Sequence, residues 1–241
     1  MKKKRVIFFV GVFSVVLIGL FTLYSERPGK SGIDDKFITY NPLDLSQFYE
    51  ISTFRSCAGH DYSGYDVEGV LEGDRSMKHY IAPRRELIGS INVIEVRAPF
   101  DGRIEEIRSE QVAIGEQVWL VADEGGGWDL VLFYVTLIPS LKRGSKFKAG
   151  EVIAYVNLPE GMHDFDMALV KRGWHVMFDS VFTHMTDEVL FQYVQRGVTL
   201  DKIIIDKNWR DKHPCECHST GEEKCRFSSS GDEGDSWVRM E

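Results

Sequence analysis

The sequence predicts a mainly β protein: an antiparallel β-sandwich preceded by one transmembrane helix and followed by a small helical appendage. Three observations carry this. A charge-free apolar run extends from Val6 to Tyr24, short strand-like runs framed by glycines fill the stretch from Asn92 to Val170, and helical spacing with cap residues appears only after Met185.

The apolar run comes first. About 19 residues at a rise of ~1.5 Å each make a helix of ~28 Å, enough to cross a bilayer core. The run leaves through "TLYSERPGK", which lacks the small-x-small pattern of a signal cleavage site, so an uncleaved anchor is expected. Lys2, Lys3, Lys4 and Arg5 precede it, which places the N-terminus in the cytoplasm and the main domain outside. A cleaved signal would free the same domain. The expected organisation is a basic flank over 1–5, the anchor over 6–24, a stalk over 25–50, the β-domain over 51–179, the helical appendage over 180–214 and a Cys-containing, partly disordered tail over 215–241.

Charge narrows the partners. The chain carries 29 Lys+Arg against 37 Asp+Glu. With the basic flank set aside the exported part has a net charge of about −12, which argues against nucleic acid or an anionic lipid surface as partner. The membrane, through the N-terminal helix, and a cell-envelope ligand or protein remain.

The strand-like runs follow in order. "INVIEVRAPFDGRIEEI" reads as two strands around a turn from Pro99 to Gly102, and "EQVWLVA" and "WDLVLFYVTL" add two more, rich in Val, Leu and aromatics. Glycines at 115, 125–127, 144 and 150 supply the connections. "VAIGEQVWLVA" and "FKAGEVIAYVN" form a weak internal echo, each placing Gly-Glu before an apolar strand. After Met185, Thr186 reads as a helix N-cap, Asp187 and Glu188 sit in the first turn, and Gly197 stops the helix. "LDKIIIDKNWRDKHP" reads as a strand or second short helix ending before Pro214.

Four clusters bear chemistry. Cys57, His60 and Asp61 crowd into "SCAGHDYSG", either as a metal or ligand pocket or as a polar turn whose Asp satisfies backbone donors. His163, Asp164 and Asp166 lie in "HDFD", where strand alternation would set both acids on one face. Two carboxylates there would raise one another's pKa or hold a cation. His79 in "SMKHYIAP" is a looser candidate for the same cleft, against the alternative of a structural histidine. The tail offers Cys215, Cys217, His218 and Cys225 as disulfide partners or a zinc cluster, and export favours disulfides. No pairing follows from the sequence.

"VRAPFDGRIEEI", the Gly-Glu strand and "LFYVTLIPSLKRGSKFKAGEVIAYV" together resemble the core of the lysostaphin/LytM-type zinc endopeptidases and the wider duplicated-hybrid-motif sandwiches, over roughly Cys57 to Leu169. The peptidase pattern is H-x-G-x-D, then Y-x-H-L, then H-x-H. Against it, "CAGHD" puts Cys57 at the first zinc ligand, Gly59 at the glycine and Asp61 at the second ligand, with His60 between them. "YVTL" puts Thr136 where the family has a catalytic His, and "DFD" puts Asp164 and Asp166 at the closing pair. The family chemistry needs zinc with an open position and imidazoles to handle its water, and Thr136 cannot act as a base near pH 7. The resemblance therefore implies a degenerate domain without assured cofactor that binds or regulates. The alternative is a metal-dependent cell-wall endopeptidase, with zinc in a rearranged site drawn from His60, Asp61, His79, His163 and Asp166. A biotin- or lipoate-carrier role fails because the Pro99–Gly102 turn has no Lys. A third expectation puts the interaction on the helices, through Tyr193, Arg196, Trp209 and Arg210.

Overall fold

The computed structural model describes residues 36–110, 115–217, 225–227 and 236–241. The expected anchor over 6–24 lies outside these. Among the described residues no helix is long and apolar enough to cross a membrane.

Among the described residues eleven strands, antiparallel throughout, make the fold mainly β. β1 is Phe48–Ser52 and β2 His79–Pro83; the expected runs fold as β3 (Ile91–Arg97), β4 (Gly102–Ser109), β5 (Glu116–Ala122) and β6 (Trp128–Leu137). β7 (Lys146–Phe147), β8 (Val152–Asn157), β9 (Phe165–Lys171), β10 (Met177–Asp179) and β11 (Trp237–Arg239) complete the set. They join into one branched open sheet, mainly β and antiparallel as expected. The branch lies in β6. One edge of this strand pairs with β5; along the other, residues 128–132 pair with β9 and residues 135–137 with β8. At the fork Tyr134 has φ 56°, a left-handed conformation rare for a side-chain-bearing residue, and the β5–β6 register slips beside it. Such a bulge bends the strand, so β8 and β3 diverge from β9 while staying hydrogen-bonded to the same sheet.

Alternation along the central strands separates two apolar layers. Leu130 and Leu132 of β6, with Phe165, Met167 and Leu169 of β9, enter the larger core together with Ile81, Leu120 and Val156. Val131 and Phe133, with Ala168 and Val170, face the other way into a smaller cluster that Phe54, Met77 and Phe178 cover. The segment 53–78 therefore forms a lid over the second face of the sheet.

Two expectations of organisation are corrected. The stalk does not extend to residue 50, because Phe37, Ile38, Leu43, Leu45 and Phe48 are buried in the larger core. The helices α1 (Asp187–Val194), α2 (Leu200–Ile203) and α3 (Lys207–Lys212) are no appendage, since Val189, Tyr193, Val198 and Ile203 fill that same core. Thr186 caps α1 by accepting from Val189 N, and Gly197 follows it with φ 82°. The end of the tail is structured: β11 pairs with β1, and Met240 is buried.

Candidate functional site

The second face of the sheet carries the site, and a lysine stands at its centre. On β2 and β9, Tyr80 pairs with Asp166 and His79 with Met167, so Tyr80 and Asp166 share the second face while His79 points into the larger core. Lys78, two residues before Tyr80, takes the Tyr80 side. Its Nζ donates in a short contact to Asp166 Oδ2, with only 2% and 1% of the two side chains exposed. Three rings wall in the ammonium: Tyr62 at 4.9 Å, Tyr80 at 4.7 Å and Phe133 at 4.7 Å from Nζ to centroid. Aromatic faces attract a cation within ~6 Å, and the attraction strengthens when water is excluded. His60 closes the group, its Nε2 lying 3.4 Å from Lys78 Nζ and its ring edge-on to Tyr62 and Tyr80.

Within the lid the chain packs closely enough on Tyr80 to require a glycine. Gly59 has φ 69°, and a Cβ there would sit 2.2 Å from the Tyr80 hydroxyl. This approach lets His60 N donate to Tyr80 Oη at 3.2 Å. Behind it, Glu72 is buried between Arg55 and Arg75, and Arg75 reaches Asp211 on α3, which ties the lid to the helices. The Cys57–Cys215 disulfide makes a second tie, with Arg210 donating to Cys57 Sγ at 3.0 Å.

Low polarity leaves its mark on the acids. Burial, then the neighbouring Asp166 carboxylate, pushes the Asp164 carboxyl up to about 7, with Lys78 acting in the opposite direction. Burial raises Glu110 as well. The Tyr62 and Tyr134 hydroxyls are pushed up to about 12, chiefly by burial, and Tyr80 is driven higher still for the same reason. These phenols stay neutral at any physiological pH. Asp166 Oδ1 is buried and makes no hydrogen bond among the described residues, so the carboxylate depends on Lys78.

The structure brings together some of the expected residues and separates others. His60 and Asp166 meet at Lys78, and Asp164 lies near enough to feel the charges of both Asp166 and Lys78. Asp61 holds Ser63 through a short hydrogen bond, and its N–H donates to Cys225 O at 2.8 Å. Thr136 Oγ1 accepts from Asn157 Nδ2. His163 is exposed. His79 is wholly buried, its ring bonded to Ser52 O at 2.7 Å and Ser180 Oγ at 3.0 Å, and burial lowers it to about 4, so it is a neutral structural histidine outside the site. In the tail Cys215 bonds Cys57 and Cys217 bonds Cys225, which leaves no thiolate for a zinc cluster; His218 lies outside the described residues. Tyr193 and Arg210, expected as exposed contact residues, are fully buried.

A catalytic zinc does not fit these residues. Cys57 has spent its sulfur on a disulfide, Asp166 is neutralised by Lys78, and a divalent ion would meet the ammonium at the same carboxylate. Among the described residues no three His, Cys, Asp or Glu side chains are placed to share a metal. Sequence reasoning missed Lys78, Tyr62, Tyr80 and Phe133. The available signal was "MKHY", where a strand alternating about His79 must place Lys78 and Tyr80 together on the opposite face.

No family model and no curated protein matches the chain. Among solved structures, it is similar to a catalytic-domain mutant of the prophage-encoded M23 protein EnpA from Enterococcus faecalis, at 19% identity and TM-score 0.32, over 51% of this chain and 88% of that one. It is similar also to lysostaphin, at 16% identity and TM-score 0.30, over 51% of this chain and 49% of that one. What the site can do follows from the chain's own residues.

Proposed function

We propose that this is a membrane-tethered, extracytoplasmic, LytM-like β-domain without peptidase activity, which works by binding a cell-envelope ligand or a partner protein. The observation that carries the reading is the Lys78 ammonium, caged by three rings against Asp166, which the LytM resemblance sets in the closing H-x-H pair. An internal cation there does the electrostatic work of holding a buried carboxylate but offers no open coordination position, no Lewis acid and no activated water. Thr136 supplies no general base. Two disulfides support a location outside the cytoplasm, where thiols oxidise and remain paired. The apolar run over 6–24 and the basic flank before it support the tether.

The test is elemental analysis of the full chain, purified without chelator and then offered zinc, next to an assay for cleavage of cell-wall peptide cross-links. The expected result is no stoichiometric zinc and no cleavage in wild type, Asp61→Ala or Asp166→Asn. About one zinc per chain, lost in Asp61→Ala and accompanied by cleavage, would instead establish the rearranged endopeptidase.

A further inference from the structure

Away from the lysine site, two loops join into an exposed apolar tip. The turn over residues 66–71 presents Val67, Val70 and Leu71, the last 65% exposed, and the connection from β9 to β10 presents Val176 and the fully exposed Trp174. A cluster of exposed apolar side chains marks a contact surface more often than a scatter of single ones does, and the indole brings a large apolar face with a polar edge. The two loops are built as one unit. Tyr65 bridges to both Leu71 and Met177, its N–H donates to Val176 O at 3.2 Å, and Phe178 N donates back to Tyr65 O at 2.8 Å. The Tyr65 ring stacks on His175 at 4.0 Å. Asp66 closes the turn by accepting from Glu68 N at 2.9 Å and Val70 N at 2.8 Å. The apolar groups therefore stand on backbone that is already ordered, which lowers the entropic cost of docking.

The tip's position selects its partner. Lys171, the last residue of β9 before the tip, pairs with Trp128 across the sheet. The Trp128 ring lies 5.1 Å from His184, and His184 lies 5.3 Å from Phe37. Phe37 also packs beside Gly125 in the turn between β5 and β6. The chain thus enters the described domain at the same end of the β6–β9 ladder from which the tip projects. About eleven residues, 25–35, separate that entry from the apolar run over 6–24, a reach of at most roughly 40 Å when fully extended. A bilayer holding the run is within range of the tip.

We infer that the tip formed by Val67, Val70, Leu71, Trp174 and Val176 docks on a lipid bilayer surface, its apolar side chains entering the interface while Lys171 and Arg172 at its base stay at headgroup level. Tryptophan and tyrosine prefer that depth, and apolar insertion needs no anionic lipid, which suits an acidic domain. The inference rests on the membrane-tethered reading above, since the tether sets the tip's distance from lipid.

The test uses the full chain in phosphatidylcholine vesicles with brominated acyl chains, read by flotation and by tryptophan quenching. None of the five tryptophans precedes residue 119, so the apolar run itself is silent. Wild type is expected to float and to show a quenched component of roughly one tryptophan in five, absent from Trp174→Phe, retained in Trp209→Phe and much reduced in Leu71→Asp. Flotation of all variants with equal quenching would overturn the tip and leave the tether standing. Flotation lost only in the Trp174 and Leu71 variants would keep the tip and overturn the tether, and no flotation of wild type would overturn both. Concentration-dependent self-association that Leu71→Asp abolishes, without any quenching, would give the tip to a second copy of the chain and overturn the lipid assignment.

Discussion

At the scale of single residues, Lys78 and Asp166 support each other in a place where neither charge would persist alone. Removing one partner of a buried pair strands the other, a loss of about 3–5 kcal/mol, whereas an apolar replacement of both is often close to neutral. Lys78→Met is therefore expected to lower the unfolding free energy by that amount, read as a lower denaturant midpoint with little change in slope, and Lys78→Met combined with Asp166→Leu to recover most of it. A single-variant loss below about 1 kcal/mol would mean that water reaches the pair. The same face predicts an unusual pH profile. Asp164, raised to about 7, stays protonated in the folded chain while the unfolded chain ionises, so its contribution to stability is lost as pH rises from about 4 to about 7. His79, lowered to about 4, stays neutral when folded while the unfolded ring takes a proton below its ordinary value of 6.5, so its contribution is lost as pH falls through that range. The two slopes oppose each other. Thermal melts of wild type between pH 4 and 6.5 should be nearly flat, and Asp164→Asn should uncover stability that rises with pH; an unchanged profile would show that Asp164 titrates normally.

Elements explain how distant residues reach one face. β6 is shared by β9 and β8 because Tyr134 adopts a left-handed bulge between them, and that fork orients Phe133 toward the lysine while its neighbours serve the main core. The lid over 53–78 is held from outside by disulfide and ion pairs rather than by strands of its own. Cys57–Cys215 spans 158 residues, and the chain-entropy model gives roughly 5 kcal/mol for a loop of that size, against about 2–3 kcal/mol for the 8-residue span of Cys217–Cys225. Replacing the first pair by serines should therefore lower the midpoint of unfolding much more than replacing the second. Equal losses would show that the lid does not depend on its tie to the end of α3.

For the molecule as a whole, the sequence determined what local chemistry determines. The four strands from Ile91 to Leu137, the Thr186 cap and the stop at Gly197 were all legible, because alternation, β-branched content and cap residues act within a few positions. Alternation through "HDFD" also suggested a pair of acids on one face, of which Asp166 lies in β9 and Asp164 just before it. Only the tertiary structure decided what those acids face. Lys78 lies 88 residues before Asp166, and nothing local distinguishes a lysine bound for a buried aromatic cage from one bound for solvent. The bulge at Tyr134 and the pairing of Cys57 with Cys215 were hidden for the same reason: each depends on which segments the sheet brings side by side, and that is set by burial summed over the whole chain.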